Sequence, residues 1–212
     1  MCGRLRKALI LCGISSLIFS SLSFAQEGPT AQVKATIDRV LEILRDPALK
    51  APEKEEARRK QLKEAIYARF DFSEMARRSL GRHWRKQNPK ERQEFVDLFS
   101  DLLEGSYHKK IESYSDEEIL YTKEKVDKKF GVVTTKVFGK KGDIEIPIHY
   151  KVIRRDGQWK VYDVVIEGVS LVSNYRSQFN RIIQTSSYAD LVRKMRVKQE
   201  AEALSTASTP ER

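Results

Sequence analysis

Ile144-Glu145-Ile146-Pro147-Ile148-His149-Tyr150-Lys151-Val152 alternates apolar with other residues throughout its length. A period of two is that of a β-strand with one covered face. Ile144, Ile146, Ile148 and Tyr150 therefore share that face. Pro147 lacks the N–H that a sheet ladder uses, so an edge position or a bulge is expected there. Upstream, Gly139-Lys140-Lys141-Gly142 is a turn, preceded by strand-like runs at Val132–Phe138 and Ile119–Val126. Downstream, Asp156-Gly157 is a hairpin signal, and Trp159–Glu167 reads as the last strand. That last run is apolar on both faces, as expected of a strand with helices on one side and a cavity on the other.

Helical spacing lies on either side of this meander. Thr30 is placed to cap a helix whose Val33, Ile37, Val40, Leu41 and Leu44 share one face, with Pro47 as its stop. Pro52 opens a second, highly charged helix. A short segment, Phe72–Leu80, ends at Gly81. Asn88-Pro89-Lys90-Glu91 has the form of a capped helix start. Phe95, Phe99, Leu102, Leu103 and Tyr107 then form one stripe. Beyond Gly168, Leu171, Tyr175, Phe179, Ile182 and Ile183 return to helical spacing, and a final helix is expected over about Tyr188–Leu204. The sum is an α+β domain: helices, an antiparallel sheet of four to five strands, then closing helices placed to lie across it.

The N-terminus points to export. Arg4, Arg6 and Lys7 precede an apolar run, Ala8–Phe19, and Ser23-Phe24-Ala25 offers small residues for signal-peptidase cleavage. The run is shorter than the roughly 20 residues of a spanning helix. Residues 1–25 are expected to be a signal peptide, 26–204 a single domain and 205–212 a disordered tail. Cys12 follows Leu11, where a lipoprotein signal needs a small residue. Both cysteines, Cys2 and Cys12, fall within the signal. The mature chain then offers no disulfide, thiolate nucleophile or thiolate metal site. The formal charge of +10 becomes +7 once the three signal cations are removed. Such a balance suits an anionic membrane, an acidic partner or nucleic acid and does not choose among them.

Catalytic patterns are missing. His83, His108 and His149 are scattered and form no metal-binding pair. Gly168-Val169-Ser170 begins like a hydrolase elbow, but the closing glycine is absent; a helix N-cap is the expected role of Ser170. No phosphate-binding glycine loop occurs. Basic pairs such as Lys140-Lys141 and Arg154-Arg155 sit at expected hairpin turns, where lysine also guards sheet edges. A nucleic-acid partner is therefore not expected. The aromatics fall on helix and strand stripes, and periodicity alone favours an ordinary filled core for them.

Two groups of motifs carry a family resemblance. The first is Phe70-Asp71-Phe72-Ser73-Glu74-Met75-Ala76, then Leu80-Gly81-Arg82-His83-Trp84, Phe95-Val96-Asp97-Leu98-Phe99 and Leu102-Leu103-Glu104-Gly105-Ser106-Tyr107. The second is Trp159-Lys160-Val161-Tyr162-Asp163-Val164, leading into Glu167-Gly168-Val169-Ser170-Leu171-Val172 and Asn174-Tyr175-Arg176-Ser177-Gln178-Phe179. In order and spacing they resemble the MlaC / toluene-tolerance family, from about Thr30 to Met195. The charged helix after Pro52 and the Asn88-Pro89 loop depart from that pattern.

The resemblance implies a periplasmic phospholipid carrier and not an enzyme. It implies a helical layer on a curved sheet, enclosing an apolar cavity for acyl chains. Its partners would be an outer-membrane lipoprotein–porin complex and an inner-membrane ABC transporter with an MCE-domain subunit. Its role would be to maintain outer-membrane lipid asymmetry, as a monomer with no cofactor besides its phospholipid cargo. Three walls are expected. Phe95, Phe99, Leu102, Leu103 and Tyr107 form one. Ile144, Ile146, Ile148 and Tyr150, with Val164 and Ile166, form the second. Leu171, Tyr175 and Phe179 form a lid, and Arg176 is the candidate for the head group or a partner. The alternative is a docking module of a transporter that holds no lipid.

Overall fold

The computed structural model describes residues 27–114, 117–139 and 145–207. The expected signal peptide, Ile144 and the tail from residue 208 lie outside the described residues. Four helices come first: α1 (Pro29–Arg45), α2 (Glu55–Arg69), α3 (Phe72–Leu80) and α4 (Pro89–Glu112). The sheet follows: β1 (Glu118–Asp127), β2 (Phe130–Phe138), β3 (Glu145–Arg155), β4 (Gln158–Ile166) and a short β5 (Val169–Ser170). Helices α5 (Leu171–Thr185) and α6 (Tyr188–Ala207) close the chain, α6 running into the stretch expected to be disordered. The strands lie in sequence order, each antiparallel to the next.

Local chemistry sets most boundaries. Asn88 and Glu91 form a reciprocal capping box at α4. Ser170 caps α5 through the Ser173 N–H. Asp71 caps α3 through the Glu74 N–H, and α3 ends at Gly81, whose φ is +57°. Asp156 and Gly157 both have positive φ, as the β3–β4 hairpin requires. Helix α1 differs from expectation. Its N-cap is Gly28, which has no side chain, and the Thr30 N–H is capped from β1 by Glu124. The charges of α2 find partners on α4: Arg58 with Glu112, and Arg59 and Lys63 with Glu104.

Two bulges decide which side chains face inward. Paired residues of antiparallel strands share a face. Tyr121 pairs with Thr135 but Lys123 pairs with Thr134, so Thr122 is an extra residue in β1. The inward set is therefore Ile119, Tyr121, Glu124 and Val126. In β4 the extra residue is Tyr162, between Val161 and Asp163. Val161, Val164 and Ile166 face inward, while Tyr162 meets Phe130 edge-on and lies under the Arg78 guanidinium. This explains a strand that reads as apolar on both faces.

Pro147 is not on an edge strand, because β3 lies between β2 and β4. It is tolerated because its carbonyl accepts from the Glu167 N–H, just past the end of β4. In an antiparallel strand the N–H and C=O of one residue point to the same side, so the missing donor faces the point where β4 leaves the sheet. The closing helices do not lie across the sheet. Helix α6 packs on α4 and α5, and α5 meets the sheet chiefly through β4 and β5. Helix α1 crosses the inner face instead, touching β1, β2 and β4.

Candidate functional site

Four cross-strand rows make up the inner face of the sheet. From the β1–β2 turn they are Val126–Gly131–Val152–Val161, Glu124–Val133–Tyr150–Val164, Tyr121–Thr135–Ile148–Ile166 and Ile119–Val137–Ile146. The first is sealed in the middle of the sheet, and the second is sealed there except at Tyr150, which keeps accessible surface. Val133, Val152, Val161 and Val164 are buried with Val33 of α1 and with Trp159. The last two rows are covered differently. Thr135 and Val137 on β2 are buried, but Ile119, Tyr121, Ile146, Ile148 and Ile166 keep accessible surface. Ile37, Phe70 and Leu171 border the same cluster and are also only partly buried. An apolar sheet face has thus been left half covered inside the fold.

Three phenols stand near it. Burial pushes Tyr150 up to about 12, and burial with the Glu117 carboxylate pushes Tyr114 up to about 12. Burial also raises Tyr121, helped by Tyr150, Asp38 and Tyr114. All three therefore stay protonated as neutral donors at physiological pH. Tyr114 donates to the Glu117 carbonyl at 2.9 Å. The Tyr121 hydroxyl is buried and has no hydrogen-bond partner among the described residues.

The expected walls do not come together as one surface. Phe95 and Phe99 have no accessible surface; their rings lie nearly parallel at 6.1 Å. Phe179 meets them edge-on at 5.6 and 5.9 Å. Leu102 and Leu103 are buried in the same helical core, and Tyr107 and Tyr175 border it. Ile148, Tyr150, Val164, Ile166 and Leu171 belong to the sheet core, Ile146 adjoins them on β3, and Ile144 lies outside the described residues. The lid group is thus divided, Leu171 with the sheet, Tyr175 and Phe179 with the helices. Arg176 is exposed, and its guanidinium lies against Gly81, where a methyl group would come within 2.8 Å of Nε.

A separate groove of about 630 Å³ opens beside α2 and α3, against α4 and the β3–β4 hairpin. Its lining mixes Tyr67, Phe70 and Phe72 with Asp71, Asp97, Arg155 and Lys160, a poor match for hydrocarbon. Among the described residues no cluster of His, Cys, Asp and Glu is arranged to hold a metal ion. None of their helices is long and apolar enough to cross a membrane.

The description "MlaC protein" belongs to the family whose profile matches residues 34–197. The chain belongs to the MlaC family. It is similar to the intermembrane phospholipid transport system binding protein MlaC of Haemophilus influenzae, 27% identical over 55% of this chain and 56% of that protein. It is also similar to the toluene tolerance protein ttg2D of Pseudomonas putida, 30% identical over 47% of this chain and 46% of that protein. The chain thus spans about half the length of these curated relatives. A phospholipid-binding protein from Ralstonia solanacearum, solved in complex with a phospholipid, superposes with a TM-score of 0.74 at 26% identity. That likeness covers 84% of this chain and 99% of the other.

The MlaC-like motifs have structural work in this fold. Glu74, buried on α3, receives Arg77, Arg78 and Arg155, and Arg155 also pairs with Asp71 at 2.7 Å. That cluster ties α3 to the β3–β4 hairpin. Asp163 receives Lys151, the Ser170 hydroxyl and the Val172 N–H, and so fixes the start of α5 to β4. Of the residues bordering the half-covered face, the sequence marks Ile37 and Phe70 as a helix-face residue and a motif residue, not as lining, and does not single out Tyr121. Strict alternation groups Tyr121 with Lys123 and Lys125; only the Thr122 bulge sets it on one face with Glu124 and Val126.

Proposed function

We propose that this MlaC-family chain is a non-enzymatic, periplasmic phospholipid carrier. The cargo's acyl chains lie along the half-covered inner face of the sheet, over Ile146, Ile148 and Ile166, under Ile37 and Leu171. The observation that carries this reading is the uneven cover of one apolar face. Val133, Val152 and Val161 are buried, while Ile146, Ile148, Tyr150 and Ile166 on the same face retain accessible surface. An acyl chain laid there would complete the cover. The Ralstonia structure, with its bound phospholipid and shared fold, supports the choice of cargo. The basic, apolar and small-residue order of Met1–Ala25 supports export.

Energetics say what such a hollow must do. Burial is worth roughly 0.8 kcal/mol per methylene, so two chains of about 15 carbons would cost on the order of 20 kcal/mol to expose to water. The carrier must replace most of that burial, and it must also release the lipid. Apolar, non-directional contact does both. In the pathway that family membership suggests, the carrier exchanges lipid with an outer-membrane lipoprotein–porin complex and an inner-membrane ABC transporter bearing an MCE-domain subunit. That exchange would maintain outer-membrane lipid asymmetry.

Native mass spectrometry of the mature protein, before and after exposure to liposomes, tests the proposal. Phospholipid adducts are expected in mild conditions. An apo mass alone in both samples would favour a docking module without cargo.

A further inference from the structure

The buried, unpartnered hydroxyl of Tyr121 has a use in this hollow. Resting on the carrier reading, we infer that Tyr121 donates a hydrogen bond to an ester carbonyl of the bound lipid, a directional contact on an otherwise apolar face.

The geometry narrows the alternatives. Tyr121 shares its inward row with Thr135, Ile148 and Ile166, three strands of the half-covered face. A buried donor without an acceptor is destabilising, and such groups in folded proteins call for a partner. Neighbouring hydroxyls are already engaged: Thr135 with the Ile148 carbonyl at 3.3 Å, Tyr114 with the Glu117 carbonyl at 2.9 Å. Tyr121 alone of these has its donor free among the described residues.

Charge selects the acceptor. The groups acting on the phenol are Tyr150, Asp38 and Tyr114, with no lysine or arginine among them. Asp38 is a carboxylate, engaged at the surface by Lys34. A phosphate or a free fatty-acid carboxylate would bring a second anion beside Asp38, whose cation, Lys34, is already engaged. An ester carbonyl is neutral, a good acceptor, and joined directly to the acyl chains that the apolar rows would hold. Tyr121 would then register the glycerol end of the lipid against the sheet and favour acyl esters over alkyl ethers.

The test compares a diester phospholipid with its diether analogue, matched in head group and chain length, competing for the mature protein in native mass spectrometry. Wild type is expected to prefer the diester by about fivefold, the factor that one neutral hydrogen bond sustains. Tyr121→Phe keeps the ring and removes the donor. It should lose the preference by weakening the diester alone, and its lipid-free melting temperature should stay level or rise. Equal binding of the two lipids by wild type, or a preference retained by Tyr121→Phe, overturns the inference and leaves the carrier reading standing. A marked fall in the lipid-free melting temperature of the variant also overturns it, since the phenol would then be bonded within the protein. Wild type that binds neither lipid overturns the carrier reading itself, and this inference with it.

Discussion

The Glu124 carboxylate accepts a hydrogen bond from the Thr30 N–H at 2.9 Å, so a strand residue caps the first turn of a helix across 94 residues of chain. Gly28 at the N-cap brings no side chain of its own, and a methyl group there would sit 3.3 Å from the Glu124 oxygens. A carboxylate at a helix N-terminus also meets the favourable end of the macrodipole. The Thr122 bulge makes the contact possible. Without it, strict alternation from Tyr121 would turn Lys123 and Lys125 toward α1. Glu124→Ala should lower stability by about 1 kcal/mol, the usual worth of such a cap, seen as a fall of about 2–4 °C in melting temperature. Lys125→Ala, on the opposite face, should stay within about 0.5 kcal/mol of wild type. Equal effects of the two would contradict the cap.

Glu74 predicts an acid-sensitive joint between α3 and the hairpin. Burial would raise its pKa, but the hydrogen bonds from Arg77 and Arg78 outweigh it and hold the carboxyl below its ordinary value of 4.5. A depressed folded pKa adds stability above the unfolded value and loses it as pH falls through the folded one. Glu74→Gln should therefore cost about 2 kcal/mol at pH 7, in the range for charged hydrogen bonds. The gap to wild type should narrow as pH drops below 4.5. Urea denaturation at pH 7 and pH 3 measures it; a constant gap would mean the ion pairs contribute nothing.

Gly81 combines a φ of +57° with a ψ of −126°, a conformation essentially closed to residues with a Cβ. Gly81→Ala should cost about 1–3 kcal/mol from backbone strain, with a further contribution from the 2.8 Å approach to Arg176 Nε. Adding Arg176→Ala should recover only the second part. Full recovery in the double variant, read from melting temperatures, would place the whole penalty in the side-chain contact.

Local signals were legible because their chemistry is local. The Asn88–Glu91 box, the Ser170 cap, the Asp156-Gly157 turn and the strand period each need only a few neighbouring residues. Registers and long-range caps were not. Thr122 and Tyr162 look like ordinary strand residues, yet each inserts one position and flips every inward side chain beyond it. The α4 stripe shows the other limit. Phe99 and Ile148 carry equally convincing periodicity, but Phe99 has no exposed surface and Ile148 keeps some. A period reports which face turns inward; it cannot report whether another helix fills the space opposite. For α4 it is filled by Phe179 and Tyr175. For the Ile146 end of the sheet, α1 covers only part.

That difference separates lining from core in a direct comparison of Ile146 and Phe99. Ile146 keeps accessible surface on the inner face, so an aspartate there can stay solvated in the lipid-free protein. Ile146→Asp should lower the melting temperature only modestly. With an acyl chain alongside, the same carboxylate must shed its water against hydrocarbon, which is strongly unfavourable. Lipid carried per folded molecule should therefore drop several-fold. Phe99 lies at the centre of a stacked and edge-on ring cluster with no exposed surface. Phe99→Ala should cost about 3–5 kcal/mol, the range for emptying a buried aromatic site. The molecules that remain folded should carry lipid as wild type does. Melting temperature and the phospholipid-bound fraction in native mass spectra, measured on the same samples, give both numbers. If Ile146→Asp unfolds the protein while Phe99→Ala abolishes lipid carriage, the hollow lies between α4 and α5 and the sheet face is ordinary core.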